Sequence, residues 1–305
     1  MSVDPSIALR EGPWEHRMIP ANGTRIHAAV AGPDDGDVPL VVLLHGFPQN
    51  WYAWRHQLTH LPRAGYRVAA LDLRGHGASD KPPGRYDVPI LADDIAATIR
   101  SLGRARAVVV GHGLGGQVAW SMPALTPGVV SGIGVLATPH PAHLMRTTAR
   151  VAGARTWRWL ARAQLPWFPE RAITHGAMVP QVLSAWSAPG WRCEAASMYT
   201  ETMRLSFSAH SAMEQVRWLV RSTPRRDGRT FRRAVAAPIP VPVLALHGTA
   251  DRFLPSSATS PDRKMCAAGY RRVLIDGAGH FLPDEAPEQV TTVLRSWLDG
   301  VDHRG

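Results

Sequence analysis

The stretch that decides the fold is Gly111-His112-Gly113-Leu114-Gly115-Gly116, which stands between an apolar run at residues 107–110 and a helical pattern at residues 114–125. A short, continuous apolar run is typical of a strand that is buried on both faces of a sheet. Because the glycines permit a sharp change of direction, we predict a strand that turns directly into a helix. Two functions are compatible with such a turn, and residues elsewhere in the chain discriminate between them.

The first alternative is the dinucleotide-binding turn G-x-G-x-x-G, whose backbone approaches a pyrophosphate at the N-terminus of a helix. That turn requires an acidic residue roughly 20 residues further on, at the end of the next strand, to bind the ribose. The next strand-like segment, residues 131–136, contains no acidic residue. The turn also belongs after the first strand of its fold, whereas this one follows about the fifth strand signal of the chain. The sequence therefore argues against dinucleotide binding.

The second alternative is the nucleophile elbow G-x-nucleophile-x-G, which exposes an attacking side chain on the strand-to-helix turn. His45-Gly46-Phe47-Pro48 ends the third predicted strand, where the N–H of Phe47 is expected to form an oxyanion hole with the N–H of Leu114. Asp251 follows a predicted strand at residues 241–246, and His280 follows another at residues 272–275. The chain order of elbow, acid and histidine is the order found in enzymes with this elbow.

Three longer stretches carry a family resemblance. Residues 45–55 (HGFPQNWYAWR), 72–82 (DLRGHGASDKP) and 279–283 (GHFLP) resemble the α/β-hydrolase superfamily, and most closely its epoxide-hydrolase-like branch. The resemblance implies an α/β-hydrolase fold, with a mostly parallel central sheet flanked by helices and an inserted helical cap. It also implies a hydrolase-superfamily enzyme that needs no cofactor and no metal.

The order of strand and helix signals divides the chain into three parts. Strand and helix patterns alternate through residues 1–139, as they do in a mostly parallel sheet, and this part is predicted to be the first half of the α/β core. Residues 140–236 show helical periodicity without strand runs and are predicted to be the helical cap. Residues 237–305, where strand signals return, complete the core.

One position departs from the family pattern. The epoxide-hydrolase-like branch places Asp at the centre of the elbow, usually followed by Trp, and esterase-like branches place Ser, but this chain has Gly113 and Leu114. The branch also tends to carry cap tyrosines that hold the epoxide oxygen, expected here near Gln215 and Val216. Tyr199 is the only tyrosine within the predicted cap. Gly113 therefore leaves the nucleophile position without a side chain, and we predict an enzyme that forms no covalent intermediate.

His280 and Asp251 remain available for chemistry. The carboxylate is expected to orient the imidazole and to stabilise its protonated form, so that His280 acts as a general base on water or on an acidic substrate proton. An alternative is that the pair is inherited scaffold, since a buried Asp and His satisfy each other's hydrogen bonds. In that case the protein is a non-catalytic, ligand-binding pseudo-hydrolase.

The substrate is expected to be a small hydrophobic or aromatic molecule bound between core and cap, because ligand sites commonly lie at domain junctions. Tryptophans 157, 159, 167, 186, 191 and 218 are expected to lie mostly in the core of the cap, with some of them lining this pocket. Five further side chains are predicted to contact the substrate: His45, His112, Trp51, His140 and Tyr199.

Composition limits the partners and the compartment. The formal net charge of +10 comes almost wholly from arginine, and eight arginines fall between Asp94 and Glu170, where no acidic residue occurs. Such charge can attract an anionic substrate or nucleic acid, but no nucleic-acid-binding motif accompanies it. The two cysteines exclude a disulfide framework, residues 1–17 lack the apolar region of a secretion signal, and no long apolar stretch follows. We expect a cytoplasmic protein with a small-molecule substrate and neither nucleic acid nor a membrane as partner, and a homodimer is compatible with the sequence.

Overall fold

The computed structural model describes residues 4–301. Eight strands form one sheet in the spatial order β1-β2-β4-β3-β5-β6-β7-β8. The strands are β1 (Glu15–Ala21), β2 (Thr24–Ala31), β3 (Leu40–Leu44), β4 (Arg67–Leu71), β5 (Ala107–His112), β6 (Val130–Leu136), β7 (Val243–Gly248) and β8 (Tyr270–Ile275). β2 pairs antiparallel with β1 and β4, and the remaining neighbours are parallel. The predicted α/β-hydrolase fold with a mostly parallel sheet is confirmed.

The sheet is covered on both faces by helices. Those of the α/β core are α1 (Arg55–His60), α2 (Val88–Ser101), α3 (Gly113–Leu125), α11 (Leu282–Glu285) and α12 (Pro287–Leu298). Alternate residues of β3 enter different apolar clusters: Val41 and Leu43 lie on one face, and Val42 and Leu44 on the other. This two-residue alternation explains why a central parallel strand is apolar throughout, because both of its faces are buried.

Seven helices lie between β6 and β7, inside the range predicted for the cap, and we call them the helical insertion. They are α4 (Leu144–Val151), α5 (Ala154–Ala163), α6 (Phe168–Thr174), α7 (Met178–Trp186), α8 (Ala196–Met203), α9 (Ser208–Arg221) and α10 (Arg226–Val235). The insertion leaves the sheet after β6, at the carboxyl end of the parallel strands. Ligand sites of open α/β sheets lie at this edge.

Among residues 4–301, no helix combines the length and apolar character needed to cross a bilayer.

Candidate active site

The predicted elbow lies between β5 and α3. Strand β5 ends at His112, the helix begins at Gly113, and Gly113 has φ +52°, a backbone conformation that L side chains rarely adopt. A Cβ added at Gly113 would contact only the Cα of Gly46 at 3.6 Å and Nε2 of His280 at 3.8 Å. By contrast, a Cβ at Gly115 would lie 2.5 Å from the carbonyl oxygen of Leu44, so glycine is required there for close packing. Position 113 thus has room for a side chain, and that side chain would face the imidazole of His280.

His280 and Asp251 form a buried pair. Nδ1 of His280 lies 2.9 Å from Oδ2 of Asp251, and Oδ1 of the same carboxylate accepts from the N–H groups of Phe253 at 2.8 Å and Leu254 at 2.9 Å. Burial acts to raise the pKa of Asp251, but the neighbouring His280 and His247 outweigh it and hold that pKa well below its ordinary value. The ionised carboxylate therefore accepts a hydrogen bond from the N–H at Nδ1. In a neutral His280 the proton is then on Nδ1, and Nε2 is the basic nitrogen.

The two residues predicted to form the oxyanion hole, Phe47 and Leu114, follow the ends of neighbouring strands. Leu114 is in the first turn of α3, where N–H groups lack an intrahelical acceptor, and Phe47 lies in the loop that follows β3. Both residues line the same cavity as His280. Neither N–H has an acceptor within the described part of the chain. The role of these two N–H groups as an oxyanion hole stays a prediction.

The cavity between the α/β core and the helical insertion has a volume of about 100 Å³. Its wall is mostly apolar, and His280 is the only titratable side chain among the described residues that form it. The apolar lining comes from Phe47, Leu114, Leu144, Met145, Trp159, Leu160, Trp186, Val216, Leu219, Val220, Phe253 and Leu254. Such a wall favours an uncharged, apolar ligand over an anion, because it offers no cationic side chain.

Glu285 holds the loop that carries the histidine. Its Oε1 accepts from the N–H of Phe281, and its Oε2 accepts from the N–H groups of Gly279 and Ala188, each at 2.8 Å. Gly279 and Phe281 flank His280 in sequence, whereas Ala188 belongs to the insertion, just after α7. A Cβ at Gly279 would lie 2.2 Å from the nitrogen of Ala188, so only glycine allows this approach. The carboxylate of Glu285 therefore connects residues 279–281, which we call the histidine loop, to the insertion through hydrogen bonds.

The five additional side chains predicted to contact the substrate do not line this cavity, and the prediction for them needs correction: His45, His112, Trp51, His140 and Tyr199. Trp51 is buried in the core, and its Nε1 donates to the carbonyl oxygen of Ala8 at 2.7 Å. Tyr199 is fully buried, and its hydroxyl donates to Oδ2 of Asp284 at 2.7 Å. Both aromatic side chains connect elements of the fold.

The three histidines of that set are buried within the α/β core. Nε2 of His45 accepts from the N–H of Leu73 at 3.1 Å, and Nε2 of His112 lies 2.8 Å from the carbonyl oxygen of His280. The ring of His140 packs on Trp120. Burial lowers the pKa of His112 and of His140 to about 3, so both remain neutral at physiological pH. Their places near the predicted motifs made them candidates, but they are not among the residues that line the cavity, although the ring of His112 packs on that of His280 with centroids 5.0 Å apart.

Gln215 and Val216 occupy the positions near which the family places its cap tyrosines, and only one of them contacts the cavity. Val216 lines the cavity, whereas Nε2 of Gln215 donates to the carbonyl oxygen of Arg74 at 3.0 Å. Of the tryptophans of the insertion, Trp159 and Trp186 line the cavity. Of the six tryptophans expected to lie mostly in the core of the cap, Trp186 is buried, Trp159, Trp191 and Trp218 are half-buried, and Trp157 and Trp167 are exposed, so fewer of them are buried than expected.

Two residues of the site were not predicted from the sequence. His247 lies with its Nε2 3.2 Å from Oδ2 of Asp251, as a second histidine on the same carboxylate. Its only sequence signal is its place at the end of β7, four residues before Asp251. Glu285 had a comparable signal, an acid five residues after His280, but its three N–H donors are close only in the folded chain. Among the described residues, no group of three or more His, Cys, Asp or Glu side chains could hold a metal ion.

Comparison with known proteins places these features in a family. Residues 39–287 match the family model described as alpha/beta hydrolase fold. The chain belongs to the α/β-hydrolase fold family. It is 32% identical to the AB hydrolase superfamily protein YfhM of Bacillus subtilis, covering 92% of this chain and 97% of that protein.

Other relatives of this α/β-hydrolase family member are named epoxide hydrolases. Epoxide hydrolase A of Mycobacterium tuberculosis is 30% identical, over 94% of this chain and 98% of that protein. Among solved structures, epoxide hydrolase A from Mycobacterium thermoresistibile superposes with a TM-score of 0.81 at 26% identity, covering 95% of this chain and 99% of that one. The chain is thus a hydrolase-superfamily protein with epoxide-hydrolase-like relatives.

Proposed function

We propose that this protein is an enzyme that acts on a small, uncharged hydrophobic or aromatic substrate through general-base catalysis by His280 and Asp251, without a covalent intermediate. The observation that carries the proposal is the geometry around Gly113. The basic nitrogen of His280 faces the cavity at a position where relatives of this branch are expected to carry an attacking side chain, and glycine supplies none. Water or the substrate itself can occupy the space that such a side chain would fill.

No other side chain of the site replaces the nucleophile. The described residues that form the cavity include no Asp, Glu, Ser or Cys. They include Thr138, Thr148 and Thr156, but among the described hydrogen bonds none joins these hydroxyl groups to His280; that of Thr138 accepts from Gln117, and that of Thr156 donates to the carbonyl oxygen of Phe253. Cys193 does not line it, and burial raises the pKa of its thiol to about 12, which keeps it in the protonated, weakly nucleophilic form. A base with no partner nucleophile is suited either to activating water or to removing an acidic substrate proton.

In the hydrolytic version of the proposal, Nε2 of His280 takes a proton from water while the water oxygen bonds to the electrophilic carbon. The electron pair displaced from that carbon moves onto the substrate oxygen, which the N–H groups of Phe47 and Leu114 face. Asp251 stabilises the imidazolium that forms. As the carbonyl re-forms from this oxyanion, the bond between the carbon and the leaving oxygen breaks, and the imidazolium gives its proton to that leaving oxygen, which restores the neutral base.

The lining favours a substrate whose negative charge develops on a carbonyl oxygen. No tyrosine is among the described residues that form the cavity, and Tyr199 donates its hydroxyl proton to Asp284 instead. An opening epoxide would therefore find no phenolic donor in this cavity. Backbone N–H groups can serve an oxyanion without one.

The second candidate is a ligand-binding protein without catalysis. It is favoured by the burial of the Asp251–His280 pair, which satisfies both partners as a purely structural contact would. This candidate also agrees with the loss of catalytic rate that is expected when a triad enzyme lacks its nucleophile. Removing that residue lowers the rate roughly 10⁶-fold, and the remaining rate is on the order of 10³–10⁴ times that of the uncatalysed reaction in water. Any remaining activity is then confined to activated substrates.

The two candidates are separated by assaying a panel of activated apolar esters and epoxides, together with the affinity of a fluorescent apolar probe. We expect slow turnover by the wild-type protein that is lost in His280→Ala, while His60→Ala, at an exposed position of the core, retains it. If every substrate reacts at the rate of heat-killed controls and the probe still binds, the enzyme proposal fails and the binding protein remains.

A further inference from the structure

The net charge of the protein is concentrated in one part of the chain. Residues 140–236 contain 15 arginines, no lysine and five acidic residues, so their net charge of +10 equals that of the whole protein. The remaining residues carry no net charge, because they contain 19 Lys and Arg side chains and 19 Asp and Glu side chains. A composition effect spread over the whole chain would not leave the α/β core neutral. The helical insertion therefore carries the net positive charge of the protein, and the α/β core has a net charge of zero.

Helix α5, the loop after it and the first residue of α6 present a surface that combines this charge with apolar side chains. Arg155, Arg158 and Arg162 follow one another at helical spacing on the exposed face of α5, and none of them forms an ion pair with a described acid. The apolar members, with their exposed fractions, are Trp157 (38%), Leu165 (47%), Trp167 (78%) and Phe168 (51%). We call these seven residues the α5 surface.

Nothing in the described chain covers the α5 surface. Trp167 has a left-handed backbone, φ +48°, which non-glycine residues rarely adopt, and it still leaves its indole in solvent. The nearby acid Glu170 forms an ion pair with Arg217, whose Nη2 donates to Oε2 of Glu170 at 3.1 Å. No carboxylate is therefore left to neutralise the arginines of α5 from that side.

We propose that the α5 surface docks the protein on an anionic lipid bilayer. Arginines next to tryptophan, phenylalanine and leucine match the interfacial region of such a bilayer, where anionic headgroups meet acyl chains. Nucleic acid would satisfy the arginines but would leave Leu165 and Phe168 without an apolar medium. A second copy of the chain would bring two cationic insertions together, which electrostatic repulsion disfavours.

The opposite face of α5 explains what docking would achieve. Thr156, Trp159 and Leu160 point inward and line the cavity, so a single helix separates the proposed bilayer contact from the ligand site. An apolar ligand partitions into the bilayer, and a docked protein would meet it there. This docking is peripheral, so it differs from membrane spanning, but it departs from the expectation that a membrane is not a partner.

The test is co-sedimentation with vesicles of phosphatidylcholine alone or of phosphatidylcholine with phosphatidylglycerol. We expect binding only to the vesicles that contain phosphatidylglycerol, with affinity that falls as salt is added. Each arginine removed should weaken partitioning roughly fivefold, so the double variant Arg158→Gln, Arg162→Gln should bind roughly 25-fold more weakly. Trp167→Ser with Phe168→Ser should also reduce binding, and Trp167 fluorescence should shift to the blue on docking.

Two matched controls keep the interpretation specific. Arg192→Gln with Arg204→Gln removes the same charge from exposed positions outside the α5 surface, and Phe207→Ser removes another exposed aromatic side chain. Both controls should bind much like the wild-type protein. The proposal is overturned if the wild-type protein ignores anionic vesicles, or if the α5 variants bind no more weakly than the controls. It is equally overturned if the same variants instead lose binding to duplex DNA or lose a dimer in solution.

Discussion

At the scale of the residue, the proposed mechanism depends on Gly113. Its backbone has φ +52°, a conformation in which a non-glycine residue would store strain, so glycine favours the fold at this position. The residues around it are those a nucleophile would need: Nε2 of His280 lies 3.8 Å from the position of an added Cβ, and Leu114 supplies an N–H. Under the proposed function, the surroundings of an attacking side chain are present while position 113 itself supplies no side chain.

This leads to a prediction for Gly113→Ser. The new hydroxyl should fall within hydrogen-bond reach of His280, so the variant should be phosphonylated by an activated organophosphonate and should hydrolyse activated esters. The left-handed backbone should cost about 1–3 kcal/mol of unfolding free energy. Gly113→Ala is the matched control, because it carries the same strain without a nucleophile and should stay unlabelled. A folded Gly113→Ser protein that resists the reagent would show that the elbow or the dyad has been misassigned.

A second residue-scale prediction concerns Asp251. Asp251→Asn removes the charge that stabilises the imidazolium and fixes the tautomer of His280, so turnover of any accepted substrate should fall strongly while probe affinity is kept. In the wild-type protein, turnover should rise with pH in a single limb, because only the neutral imidazole accepts a proton. The pH–rate profile of both proteins checks this. A profile that falls with increasing pH would contradict the role of His280 as a base.

At the scale of the element, the histidine loop depends on the insertion for its position. The carboxylate of Glu285 accepts hydrogen bonds from three backbone N–H groups. Two belong to the residues on either side of His280, and the third belongs to the segment after α7. In addition, the N–H of His280 donates to the carbonyl oxygen of Trp186 at 3.2 Å. Movement of the insertion relative to the core would therefore disturb the base directly.

We predict that Glu285→Gln loosens this loop. The amide places an NH₂ against N–H donors, which should cost about 1–3 kcal/mol for the unsatisfied group and raise the hydrogen-exchange rates of the amides of Gly279 and Phe281. Glu288→Gln, at an exposed position of α12, should leave those rates unchanged. Equal exchange in both variants would mean that the loop is held by other contacts.

The sequence predicted those elements whose pattern is local. The apolar run at residues 107–110 forms β5, and the helical pattern at residues 114–125 forms α3, so the strand turns directly into a helix as expected. Elbow, acid and histidine could also be placed, because each follows directly from the end of a strand. The lining of the cavity could not, since the inward face of α5 is fixed by how the insertion packs on the core.

Motif membership proved a poor guide to contact with the cavity. His45 and His112 stand next to Gly46 and Gly113 in sequence, yet both are buried and neither lines the cavity. Trp159 and Leu160 carry no motif signal but form part of the wall. Burial, and not sequence neighbourhood, separates these two groups of side chains.

At the scale of the whole molecule, buried neutral histidines make stability depend on pH. Burial lowers the pKa of His76, His112 and His140 to about 3, whereas an unfolded chain gives histidine an ordinary pKa of about 6.5. Below that ordinary value the unfolded state binds more protons than the folded state, so acid favours unfolding. The effect is absent above about pH 7 and grows as the pH falls towards the folded-state pKa.

We therefore predict that the unfolding free energy falls between pH 7 and pH 5, by roughly 2 kcal/mol for each such histidine. Chemical denaturation at several pH values measures this. His140→Asn should flatten the dependence, because the amide can replace Nδ1 as acceptor for the N–H of Ala142 but does not titrate. A variant with the same pH slope as the wild-type protein would show that His140 does not remain neutral in the fold.

Direct activation of water by His280 is tested by a single turnover in ¹⁸O-water, with enzyme in excess over a substrate from the panel that is hydrolysed. Product and intact protein are then weighed by mass spectrometry. If His280 acts on water without a covalent intermediate, the first product molecule carries the label and the protein keeps its mass throughout. A product without label, or a protein that gains the mass of a substrate fragment on any residue, would contradict the mechanism.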